Sequence, residues 1–158
     1  MRSNTRRGGF TLIEVLIVVV IMAVLAATII PQFSTSTKDA RESAQKYNLQ
    51  SLRTQLELYK AQHGGAYPTG TNNLEQLTKA TNTAGAVSTN GQVDATHPYG
   101  PYVTGALPVQ PFSGLNTVIL DTGMAGTTPT ATASPGGGWI FRAATGEIWI
   151  DHPSYLTQ

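Results

Sequence analysis

Residues 6–31 read RRGGFTLIEVLIVVVIMAVLAATIIP. The 21 positions from Phe10 to Ile30 would extend roughly 32 Å as a helix, which matches a hydrocarbon core of about 30 Å. A helix on the surface of a soluble domain would carry a polar stripe, and Val15 to Ala27 has none. The segment therefore reads as a membrane span. Arg2, Arg6 and Arg7 all precede it, so the positive-inside rule keeps the N-terminus cytoplasmic and sends the remainder across in a single pass. A secretory signal peptide also opens with a basic region and an apolar core, but such cores run to about 7–15 residues. Glu14 counts against that reading too, since an acidic residue at a helix centre costs on the order of 2.5–3.5 kcal/mol to insert. Its place near the helix end softens the cost, yet an ionisable group at this depth still needs a function.

Outward from the span, Pro31 removes an i−4 hydrogen bond and crowds a carbonyl, so a kink is expected there; an end to the membrane helix at the same point is the competing reading. Residues 31–63 continue the helix in amphipathic form. Leu49, Leu52, Leu56 and Tyr59 recur at helical spacing and define one face. Ala40, Ala44, Tyr47 and Leu58 lie nearly opposite, joined by Phe33 if the helix is continuous. A helix packed on one sheet needs a single stripe, so the second points to neighbouring subunits. Gly64-Gly65 ends the helix as a glycine C-cap would.

Residues 64–158 are loop-rich, with a short helix expected around Leu74 to Ala80 and a buried strand at Thr117 to Asp121. Gly123 to Gly138 is Gly/Thr/Ala/Pro-rich and reads as an exposed flexible loop. Trp139 to Arg142 and Glu147 to Ile150 read as a hairpin turning at Ala143 to Gly146, with both tryptophans packed on the Leu49 stripe. The fold class is α+β: a long N-terminal transmembrane and amphipathic helix packed on a small antiparallel β-sheet.

Composition narrows the function. Of ten Lys+Arg, three lie within residues 1–9; without that segment seven remain against nine Asp+Glu, a net charge of −2. No basic stripe supports nucleic-acid binding. Cysteine is absent, which excludes thiolate chemistry and disulfides. His63, His97 and His152 have no partner at metal-ligand spacing, no phosphate loop follows a strand, and no nucleophile elbow is present. Glu57, Glu75 and Glu147 read as solvated surface groups. These absences argue against an enzyme.

Gly9-Phe10-Thr11-Leu12-Ile13-Glu14, basic residues ahead and Pro31 beyond, resembles the type IV pilin and type II secretion pseudopilin family. Ala66-Tyr67-Pro68-Thr69, Gly100-Pro101-Tyr102, Leu107 to Phe112 and Gly138 to Ile150 resemble the major pseudopilins more loosely. The resemblance implies that residues 1–9 are a leader removed by a prepilin peptidase between Gly9 and Phe10. It also implies N-methylation of Phe10 and use of 10–30 as transmembrane helix and filament core. A bacterial inner-membrane subunit with a periplasmic C-terminal domain would follow, adding to a periplasmic filament with an assembly platform and minor pseudopilins as partners. Glu14 would then neutralise the new Phe10 ammonium of a neighbouring copy, a charge expensive to desolvate alone. A surface type IV pilus and, outside the family, a membrane-anchored module binding ligand through Thr83 to Thr104 are the alternatives. Major pseudopilins often bind calcium in an acidic loop near the C-terminus. Here Asp121, Glu147 and Asp151 stand isolated and 123–138 has no acid, so no cofactor is expected.

Overall fold

The structure, a computed structural model, describes residues 9–130 and 137–157, with backbone only at Ile30, Pro31, Phe33 and Ser34. Residues 1–8 of the expected leader, residues 131–136 of the Gly-rich loop, and the side chains of Pro31, where a kink is expected, and of Phe33 lie outside the described residues and side chains; the backbone is helical through Pro31, so the helix does not end there. The elements are α1 (Leu12–Gln62), α2 (Thr71–Thr78), β1 (Val118–Leu120), β2 (Trp139–Arg142) and β3 (Glu147–Ile150). Met1–Ala40 and Arg41–Gln158 form two compact units.

In the second unit, the Leu49 stripe of α1 makes the core. Leu49, Leu52, Leu56 and Tyr59 are buried together with Trp139, Phe141, Ile148 and Ile150 of the sheet, and Leu74, Leu77 and Leu107 close the cluster. Tyr47 and Leu58, on the other stripe, remain 75% and 45% exposed, so that face is not used by the domain itself. Gly64 adopts φ 63° while the Gly65 amide donates to the Lys60 carbonyl at 2.9 Å. These are the left-handed residue and the long closing bond of a Schellman cap, and they end α1 where the glycine pair predicts.

The sheet is mixed, not wholly antiparallel as expected. β2 and β3 form the predicted antiparallel hairpin, with Trp139 opposite Ile150 and Arg142 opposite Glu147. β1 runs parallel to β2, pairing Val118 with Trp139, because the long connection after Leu120 has the length to carry the chain back to the same end of the sheet. β1 is also an edge strand and only half-buried, with Leu120 47% exposed; the expected buried strand over Thr117 to Asp121 is shorter and more open. The free edge is capped by a side chain: Asn73 of α2 accepts from the Val118 amide at 2.5 Å and donates to the Asn116 carbonyl at 3.1 Å. A paired edge is a poorer template for unwanted strand addition.

The loops between α2 and β1 are held by satisfied polar groups. Leu107 enters the core, the Trp139 indole donates to the Pro108 carbonyl at 2.9 Å, and buried Gln110 donates to Gln45 of α1 at 3.3 Å. Tyr59, whose phenol burial pushes up to about 12, stacks on His63 at 3.7 Å between ring centres. His63 donates from Nδ1 to the Tyr59 carbonyl at 2.8 Å and meets the Thr81 hydroxyl at 3.0 Å, which gives this buried histidine a structural role. Within Thr83 to Thr104, Asp94 accepts from the amides of Thr96 (2.7 Å) and His97 (2.8 Å), closing the turn on itself.

Candidate assembly site

α1 begins in a capping box. Thr11 is the N-cap: its hydroxyl accepts from the Glu14 amide at 3.3 Å. Glu14 Oε2 in return accepts from the Thr11 amide at 2.8 Å and from its hydroxyl at 2.7 Å. This is the reciprocal T-x-x-E arrangement that satisfies two otherwise orphaned helix-start donors. Glu14 thus has a role within its own chain that the reading of its charge alone does not supply, although the Thr11-Leu12-Ile13-Glu14 spacing carries the signal. Oε1 has no hydrogen bond among the described residues, and Glu14 is exposed at the helix start.

From Leu12 to Ile29 the mean hydropathy is 3.0 and none of the window is buried. Every large apolar side chain there is exposed, from Ile29 at 47% to Leu12 at 84%. The hydroxyl of Thr28 donates back to the Leu25 carbonyl at 2.9 Å, so the sole polar group of that stretch beyond Glu14 is satisfied inside the helix, as a lipid environment demands.

Gly9 and Phe10 lie just ahead of the cap. Phe10 is 88% exposed. A Cβ built on Gly9 would meet nothing within 4 Å, so the chain's own packing gives no reason for glycine there. Gly9→Ala should therefore leave the thermal midpoint of the domain unchanged. A processing enzyme that requires glycine at the cut should cleave it more slowly, which a time course of intact mass would read.

A membrane-length helix, capped at its start by Thr11 and Glu14 and continuing into an α+β domain, defines a pilin-like subunit. Residues 4–30 match the prokaryotic N-terminal methylation motif, and residues 32–126, more than half of the chain, match the type II secretion system protein G family. The chain belongs to the type II secretion system protein G family. It is 36% identical over 77 residues to the type II secretion system core protein G of Pseudomonas aeruginosa, covering 49% of this chain and 54% of that one. With the core protein G of Vibrio cholerae it shares 35% over 83 residues, 52% of this chain and 56% of the relative. It is also 47% identical over 53 residues to the type IV major pilin protein PilA of Myxococcus xanthus, covering 34% of this chain and 24% of the pilin. The matches thus span about half the length of the core protein G relatives. No solved structure matches the chain.

Proposed function

We propose that this chain is a major pseudopilin: a structural subunit, not an enzyme, that polymerises through its N-terminal helix to drive type II protein secretion. It is cut between Gly9 and Phe10, methylated on the Phe10 amine, and stored in the inner membrane with the N-terminus cytoplasmic and residues 64–158 periplasmic. Partners are further copies of itself, minor pseudopilins, the prepilin peptidase and the inner-membrane assembly platform. The observation that carries this reading is the all-round exposure of Leu12 to Ile29 on a helix whose start holds Glu14 four residues after Phe10. The capping box occupies one carboxylate oxygen within the monomer; a stack of helices also uses the charge, because each incoming ammonium must be neutralised as it leaves water.

Co-expression with a prepilin peptidase should give a mature chain that begins at Phe10 and carries one added methyl group. Intact mass is the readout. Retention of residues 1–9, or a cut near Ala26-Ala27, would contradict the proposal and favour a signal peptide. The similarity to a type IV major pilin supports a second reading, a subunit of a surface pilus, which shares the same processing and the same helix.

A further inference from the structure

The sheet has a second face, turned away from α1. Ile140 and Arg142 of β2 lie on it beside Glu147 and Trp149 of β3, by the alternation of strand side chains and the register of the hairpin. This placement corrects two expectations: Trp149 is half-buried outside the Leu49 core, and Glu147 is not a free surface acid. The Arg142 side chain is 1% exposed. Its Nε donates to Asp121 Oδ2 at 2.6 Å and its Nη1 to Glu147 Oε2 at 3.0 Å. Its Nη2 donates to the Thr127 carbonyl at 2.9 Å and lies 3.3 Å from the Thr127 hydroxyl. The Trp149 ring centre lies 4.9 Å from the guanidinium carbon, within range of cation–π attraction.

Two carboxylates, a carbonyl and a hydroxyl are the kinds of oxygen that calcium takes in six- to eightfold coordination. Here a guanidinium already holds them. Arginine stays protonated under all ordinary conditions, so a dication placed among the same oxygens would face a fixed positive charge in a poorly solvated site. Among the described residues no group of three or more metal-ligating side chains exists, and residues 131–136 contain no acid in the sequence. The calcium that major pseudopilins often bind therefore does not fit this donor set. Gly123 belongs to the same arrangement: a Cβ there would fall 2.9 Å from Arg142 Nη2 and 3.1 Å from Asp121 Oδ2, too close for a guanidinium fixed at all three nitrogens.

We propose that Arg142 is the resident cation of the 121–127 loop, pinning it to the outer face of the sheet in the role a metal ion would otherwise fill, so that the fold of this pseudopilin is independent of calcium. Lysine is a poorer substitute, because its three N–H donors radiate from one nitrogen, whereas Asp121, Glu147 and Thr127 are met by three separate nitrogens of the guanidinium.

The test is thermal unfolding of the full chain in detergent micelles, with tryptophan fluorescence and amide hydrogen exchange over residues 121–130. The parent should melt at the same temperature in millimolar calcium and in EGTA. Arg142→Gln leaves half-buried Asp121 beside no cation and breaks three donor contacts at once, so its midpoint should fall by roughly 10 °C or more, with faster exchange in the loop. Arg142→Lys should recover only part of the loss, and it keeps the test open if the glutamine variant does not fold. A calcium-dependent rise in the parent's midpoint, or parental exchange rates over 121–130 in either variant, would overturn the proposal.

Discussion

Leu52→Asp should unfold the α+β domain or lower its melting midpoint by at least about 10 °C. Leu52 is 1% exposed in the centre of the stripe that packs on the sheet. Truncating such a side chain alone costs about 2–5 kcal/mol. Aspartate adds a carboxylate with no cation to meet it, and burying an unpaired ion costs several kcal/mol more. A domain with roughly 5–15 kcal/mol of stability loses much or all of it, and each kcal/mol moves the midpoint by about 2–8 °C over the relevant range of domain sizes. Leu58→Asp is the control. Leu58 is 45% exposed on the opposite stripe, so the same charge should change the midpoint by no more than an ordinary surface substitution. The measurement uses a soluble chain from Lys38 onward, which keeps the intramolecular stripe, loses the span, and is expected to be a folded monomer. Equal melting of the Leu52→Asp variant and its parent would show that the Leu49 face is not the domain's core.

Glu14→Ala should leave expression, cleavage and membrane insertion intact while abolishing filament growth. Insertion should become easier, because a charged group leaves an apolar helix. If Glu14 of one subunit receives the Phe10 ammonium of the next, its removal leaves that ammonium desolvated without a partner. Breaking a buried pair costs about 3–5 kcal/mol, a shift of roughly 150- to 5,000-fold in the equilibrium for subunit addition. The capping box complicates this variant, since alanine also releases the Thr11 amide, a loss typically worth about 1 kcal/mol. Glu14→Gln separates the two effects. Glutamine retains an oxygen for the Thr11 amide, as capping boxes allow, but carries no charge. An electrostatic role predicts that Glu14→Gln still assembles poorly, between the parent and alanine. A role in capping alone predicts that it assembles as the parent does.

The parts of this molecule that were legible in the sequence are those written in local order. The span is a run of apolar residues, the intramolecular stripe is four residues at helical spacing, and the end of α1 is a glycine pair. The hairpin follows from two short segments rich in aromatic and β-branched residues around a four-residue turn. The remaining features depend on contacts between distant positions. Asp121 and Arg142 lie 21 residues apart, and nothing in either neighbourhood marks them as partners. Arg142 and Glu147 offered a better signal, since a hairpin turning at Ala143 to Gly146 sets them opposite one another, with unlike charges on one face of the sheet. The parallel pairing of β1 follows from the path of the connection beyond Leu120, whose composition holds no record of strand direction. Alternation alone does not say which face of β3 meets the helix; the burial of Ile148 and Ile150 decides it and sets Trp149 on the other face. The Thr11–Glu14 cap was visible in the spacing but overshadowed by the anomaly of an acid in an apolar run.

Polymerisation through the N-terminal helix is tested most directly by expressing the chain with a complete type II secretion assembly machinery, shearing the cells, and examining the released material. The account predicts filaments built of this chain lacking residues 1–9, present for the parent and lost for Glu14→Ala despite equal amounts of processed subunit in the membrane. Processed parent subunits that never leave the membrane fraction, or filaments equally abundant with Glu14→Ala, would contradict it.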